Sequence, residues 1–176
     1  VVEVISPAAR RAAAATRSGR VGVICTEATA TSQAYDDAFA AAPDITLSTV
    51  ACPEFVPFVE AGITGGPELL AAAERYLAPL RGAGPADGVD TLVLGCTHYP
   101  LLTGVISLVL GDEVTLVSSA DEGAKSVYAE LTRRGLTHGE PRSSTHRFLT
   151  TGNPEAFERL GARLLNGLVS DVEQFV

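Results

Sequence analysis

Short β-branched runs alternate with longer Ala- and Leu-rich stretches along the 176 residues. Five apolar runs predict strands: Val1–Ile5, Arg20–Cys25 (RVGVIC), Ile45–Ala51, Val89–Gly95 (VDTLVLG) and Val114–Val117. The fourth is apolar almost throughout, as strands buried on both faces are. Between them the pattern predicts helices over Pro7–Arg17, Thr29–Ala42, Glu54–Gly62, Pro67–Leu80 and Tyr99–Leu110. Proline opens two of these helices, and Ser18-Gly19 and Pro43 close two. Gly82–Gly88 (GAGPADG) is a turn-rich loop. Strands alternating with helices specify an α/β fold, a parallel sheet flanked by helices.

The chain beyond Val117 reads differently. The pattern predicts a helix over Ala120–Arg134, a polar loop over Gly135–Thr145, a strand over Arg147–Thr151, a helix over Pro154–Leu165 and a weak last segment, Val169–Val176. Two strands and two helices are too few for a layered core. The expected organisation is therefore a complete α/β domain over residues 1–117, with residues 118–176 completing a second domain. The chain has no Met and opens directly on a strand-like run, as a chain that starts in mid-protein would.

Composition narrows the function classes. Hydrophobic residues make up 46% of the chain, which excludes intrinsic disorder. No apolar run reaches the ~20 residues of a membrane span. Thirteen basic against 21 acidic residues give a formal charge of −8, which argues against a nucleic-acid partner and suits a cytoplasmic protein. Lys125 is the only lysine and lies in a predicted helix between Ala and Ser, a solvated position. A pyridoxal phosphate enzyme needs a Schiff-base lysine, so amino-acid chemistry here reads as cofactor-independent. There is no glycine-rich dinucleotide or P-loop motif.

Ligands of open α/β sheets bind beyond the carboxyl ends of the strands. The residues to inspect are therefore Ser6, Cys25-Thr26-Glu27, Cys52-Pro53, Cys96-Thr97-His98 and Ser118-Ser119. Cys25 and Cys52 read as small buried hydrophobes. Cys96 stands on a strand-to-helix turn, with Gly95 before it, His98 two residues on and Pro100 in the first helical turn. A thiol near a helix N-terminus is biased towards thiolate, and a neighbouring imidazole can exchange its proton. A structural thiol closing a strand is the competing reading, and local spacing leaves both open. Cys96 and His98 lack a second ligand pair at zinc-like spacing, and His138 and His146 lie in or beside the polar loop, so no metal site is expected.

The stretch Val93–Leu102 (VLGCTHYPLL) closely resembles the second catalytic-cysteine motif of the bacterial glutamate racemases, within the aspartate/glutamate racemase superfamily. Val21–Ser32 (VGVICTEATATS), Ala51–Gly62 (ACPEFVPFVEAG) and Thr151–Phe157 (TGNPEAF) resemble further segments of that family, in the same order along the chain. The composition resembles that of actinobacterial members. Cys25 departs from the family, which usually has glycine or another small residue there.

The resemblance implies two pseudo-symmetric α/β domains with the active site between them. This chain would be the second domain plus the tail returning to the first. The family's upstream Asp-Ser-Gly loop and Cys-Asn motif do not occur here. The implied reaction interconverts L- and D-glutamate for peptidoglycan synthesis by two opposed cysteines, with no cofactor and no metal. Carried over, Cys96 is one acid–base, the one serving the L-isomer. His98 assists it and Glu60 orients His98, while Thr97, His98 and, with weaker correspondence, Thr29 contact substrate. The implied assembly is a homodimer. An aspartate racemase, and an inactive fragment or protein-binding module, are the competing readings.

Overall fold

The computed structural model describes residues 1–84, 87–139 and 143–175. Pro85 and Ala86 of the expected 82–88 loop, three residues of the expected 135–145 loop, and Val176 lie outside the described residues. The chain divides into two compact units, Val1–Leu136 and Thr137–Val176. Among the described residues no helix is long and apolar enough to cross a membrane.

The first unit is built on four parallel strands: β1 (Arg20–Cys25), β2 (Thr46–Ala51), β3 (Thr91–Leu94) and β4 (Thr115–Ser118). Their order across the sheet is β2-β1-β3-β4. Val21 pairs with both Leu47 and Thr91, so β1 is central. The chain steps outward from β1 to β2 and then back across to β3. That reversal puts a switch point between the carboxyl ends of β1 and β3.

Helices cover both faces. Ile24, Leu92 and Leu94 face α4 (Phe55–Glu60), α5 (Pro67–Leu77) and α6 (Thr103–Leu110) through Phe55, Leu69, Leu77 and Ile106. Val21, Val23, Cys25, Val93 and Val117 face the other way, towards α1 (Ile5–Ala15) and α3 (Ala34–Phe39). Ala8, Ala9 and Ala12 let α1 lie close on the sheet, and α7 (Ser119–Arg133) packs on α1. The first unit thus runs past Val117 to Leu136 and takes in α7.

Two expectations are corrected. Val1–Ile5 is not a strand: helix α1 already begins at Ile5, and Val1, Val2 and Val4 are exposed. The Glu3 carboxylate accepts the backbone N–H groups of Ile5 at 2.6 Å and Ser6 at 3.0 Å. A carboxylate that satisfies first-turn donors outweighs the β-propensity of three exposed valines. Ser6 therefore sits in the first turn of α1 rather than after a strand. The helix expected over Thr29–Ala42 is also broken, into α2 (Glu27–Thr31) and α3, by Gln33 at φ 53°.

At the amino ends of the strands, Asp90 accepts from Thr16 Oγ1 at 2.6 Å and from the backbone of Arg17 at 2.7 Å and Ser18 at 2.6 Å. Burial opposes its ionisation, but these bonds outweigh burial and hold the carboxyl well below the usual range.

The second unit pairs β5 (Leu149–Thr150) with β6 (Glu173–Gln174) in parallel. Asn153 caps α8 (Pro154–Leu164) through the Ala156 N–H at 2.9 Å. Arg147 grips Glu173 with two bonds, at 2.9 and 2.7 Å. Val169, against Gly161, is its buried hydrophobic residue among those described.

Candidate active site

At the carboxyl end of β3 the ladder continues one residue further, with the Gly95 N–H donating to the Ile24 carbonyl at 2.8 Å. A Cβ on Gly95 would lie 2.9 Å from that oxygen and 3.1 Å from the Tyr35 ring. Only glycine brings the chain this close to β1 before it turns. Cys96, Thr97 and His98 make the turn. A 3-10 turn, Tyr99–Leu102, follows, and α6 begins only at Thr103. The helix expected from Tyr99 thus starts as a tighter coil. Cys96 sits before a short 3-10 turn rather than an α-helix N-terminus, so the macrodipole argument for its thiolate carries little weight. Its polar neighbour is His98.

The Cys96 thiol lies 3.8 Å from His98 Nδ1, and Thr97 Oγ1 lies 3.3 Å from the same nitrogen. On the far side of the ring, Nε2 is 3.5 Å from a Glu60 carboxylate oxygen. Glu60 ends α4, the helix that follows β2, so loops after two strands converge on the imidazole. The Glu60 contact has ion-pair reach but not hydrogen-bond geometry: Nε2 is buried with no hydrogen-bond partner among the described residues. Cys96 and His98 are half-buried, Thr97 is exposed and the Glu60 side chain is 54% exposed. The turn thus meets solvent chiefly through Thr97, with Glu60 exposed on the far side of the ring.

The other strand-end residues fall into supporting places. Cys25 and Cys52 are buried, and burial pushes their thiols up to about 11 and about 12. Neither is a thiolate at neutral pH, as packing residues need not be. Ser118 caps α7, and Ser119 Oγ donates to the Leu94 carbonyl at 2.8 Å. Thr29 lies in α2, where its hydroxyl meets that of Thr26 at 3.0 Å rather than any member of the Cys96, His98 and Glu60 set. Lys125 pairs with Glu122 on an exposed face of α7. Among the described residues no three His, Cys, Asp or Glu side chains are grouped to hold a metal ion.

A cavity of about 540 Å³ lies at the opposite end of the sheet, between Arg17, Arg20, Arg81 and Asp90. It does not include Cys96. Its size is a weaker guide than chemistry, because the thiol, the imidazole and the switch point coincide at the other end.

Sequence reasoning gave no role to Tyr99. Its ring is fully buried, and its hydroxyl lies 3.0 Å from the carbonyl oxygens of both Cys25 and Cys52. The available signal was a tyrosine placed among core apolar residues, since a buried phenol needs a partner for its O–H.

Residues 1–127 match the model of the Asp/Glu/Hydantoin racemase family. The chain is 59% identical over 175 residues to a glutamate racemase of Acidothermus cellulolyticus, covering 98% of this chain and 64% of that protein. A solved glutamate racemase from Thermus thermophilus, in complex with beta-chloro-D-alanine, superposes with a TM-score of 0.82. The two are 40% identical, over 99% of this chain and 62% of that one. The Francisella tularensis glutamate racemase, solved with D-glutamate, gives a TM-score of 0.87 at 27% identity, over 100% and 64% of the two chains. The chain spans 61% to 64% of the length of these and other curated relatives.

Proposed function

The chain belongs to the Asp/Glu/Hydantoin racemase family, and from that premise we propose that it carries one acid–base face of a cofactor-independent glutamate racemase. The observation that carries this reading is the convergence of Cys96, His98 and Glu60 at the β1/β3 switch point, within 3.8 Å and 3.5 Å of their neighbours. The naming of the relatives as glutamate racemases, one of them solved with D-glutamate, supports glutamate as the substrate.

The Cα–H of an amino acid is a very weak acid. Removing it requires a base already in contact and donors on the substrate carboxylate where charge develops. In this reading the Cys96 thiolate takes the α-proton from one face of glutamate. A thiol on the opposite face gives its proton to the planar carbanion. The bond formed at Cα replaces the bond broken, so no net proton or electron is consumed. His98 Nδ1, next to Sγ, receives the proton of Cys96 when the free thiol is reset, and Glu60 orients the ring from behind. Thr97, exposed beside the thiol, offers a hydroxyl to a substrate carboxylate.

The opposing thiol is assigned to sequence outside these 176 residues, for which the greater length of the relatives leaves room. Residues 118–176 would then include the tail that returns to that other domain. The reading extends to a cytoplasmic homodimer, which sedimentation of the full-length product tests. The decisive assay follows the circular dichroism of D-glutamate with the full-length gene product and no added cofactor. The signal should decay to zero with the native enzyme and stay constant with Cys96→Ser. Decay at the native rate by Cys96→Ser would refute the assignment, and turnover of aspartate alone would move the substrate class.

A further inference from the structure

We propose that Tyr99 is a positioning residue: through its buried hydroxyl it ties the Cys96–His98 turn to the carboxyl ends of β1 and β2 and so holds the thiol against the imidazole. The inference rests on the acid–base role given to Cys96 above.

Tyr99 is anchored at both ends. Its backbone N–H donates to the Cys96 carbonyl at 3.3 Å, closing the turn that carries the thiol and the imidazole. Its hydroxyl shares one proton between the Cys25 and Cys52 carbonyls, 3.0 Å from each. Those residues stand at the ends of β1 and β2, whereas the turn leaves β3. The side chain therefore spans three strand ends, and the phenol sets how deep the turn sits over the sheet. Burial holds the phenol above its ordinary range, so it remains a donor at every working pH.

The ring and the hydroxyl have separable tasks. The ring packs edge-on against Phe55, with centroids 5.4 Å apart and planes at 86°, and Phe55 packs likewise on Tyr76. That is core cohesion. The hydroxyl is not needed to satisfy its acceptors: the Cys25 carbonyl also accepts the Cys52 N–H at 2.9 Å, and the Cys52 carbonyl the Phe55 N–H at 3.2 Å. Removing the oxygen orphans neither carbonyl, so the cost to the fold is small. What is lost is the fixed distance between the ends of β1 and β2 and the turn that carries the 3.8 Å thiol–imidazole contact; the Gly95 N–H to Ile24 bond stops one residue short of that turn.

The test alkylates the 176-residue chain with iodoacetamide at pH 7 and follows each cysteine by peptide mass spectrometry. Tyr99→Phe should slow Cys96 at least fivefold. Adding His98→Ala to it should change nothing further, because both variants break the same contact. Phe55→Leu, which disturbs the ring packing and leaves the hydroxyl, should lower Tm and leave the Cys96 rate within twofold of native. A Cys96 rate within twofold of native in Tyr99→Phe overturns the proposal, as does a loss simply additive with His98→Ala. So does exposure of Cys25 and Cys52 to the reagent, which would make the hydroxyl a core support alone. In the full-length enzyme the same variant should lower kcat with KM held. The racemase reading stands or falls separately, on Cys96→Ser in the dichroism assay.

Discussion

Gly95 lies directly against Cys25: a Cβ on the glycine would stand 3.2 Å from the Cβ of the cysteine. The contact joins the last residue of β1 to the residue before Cys96, just past the end of β3. The Ile24 carbonyl is nearer still, at 2.9 Å. Gly95→Ala should therefore destabilise the first unit by about 1–3 kcal/mol, the usual cost of forcing atoms into a packed core. Because the tightest neighbour is backbone, Cys25→Gly should not restore the loss. Urea denaturation of the two single variants and the double variant measures this, and full recovery in the double variant would show that the cysteine side chain sets the limit.

Asp90 gives a pH dependence with a definite sign. Its folded carboxyl is held below the ordinary value by Thr16, Arg17 and Ser18 against the opposing effect of burial. A depressed folded value stabilises the fold above the unfolded carboxyl value, roughly 3.9, and that contribution is lost as pH falls below it. Asp90→Asn should cost about 1.5–3 kcal/mol at pH 7, the range for hydrogen bonds to a charged group. The gap between native and variant stability should be flat from pH 8 to 5 and narrow below about pH 4. A gap that widens on acidification would contradict the clamp.

The three thiols should separate cleanly in reactivity. Burial places Cys25 at about 11 and Cys52 at about 12, while Cys96 is the half-exposed one. Native protein at pH 7 should take up one equivalent of iodoacetamide, at Cys96, and denatured protein three. Uptake at Cys25 in the native state would show that the β1 end opens.

Much of this molecule was legible in its sequence because its strands are buried on both faces. RVGVIC matches β1 residue for residue, and VDTLVLG contains β3, since a parallel strand between two helical layers has no polar face to blur the signal. The misreadings arose where a single side chain overrode the pattern. Glu3 turns a valine-rich start into a helix cap, and Gln33 in a left-handed conformation divides one helix into two. In the site, Cys96 and His98 were legible as neighbours two residues apart. Glu60 came from resemblance alone, and the fold brings it to 3.5 Å from the ring. Tyr99 escaped because its partners, Cys25 and Cys52, are 74 and 47 residues away, a relation no local pattern encodes.

His98 supplies the last and most restrictive prediction. Its Nδ1 faces the thiol and its buried Nε2 faces Glu60 without a hydrogen bond. Proton transfer by a positioned side chain contributes about 10²–10⁴-fold, so His98→Ala in the full-length enzyme should lower kcat/KM by at least about 10²-fold. Glu60→Gln, which keeps the shape and removes only an exposed charge beyond the ring, should cost less than about tenfold on the same scale. Enantiomers have an equilibrium constant of one, so kcat/KM must fall equally for L- and D-glutamate in either variant. The separate kcat and KM values are free to diverge, because His98 neighbours only one of the two faces. Measuring both directions by coupled assays therefore discriminates sharply. A fall in kcat/KM of at least about 10²-fold in both directions keeps His98 in the proton path, and native rates in both directions would leave it a packing residue beside a thiol that needs no partner.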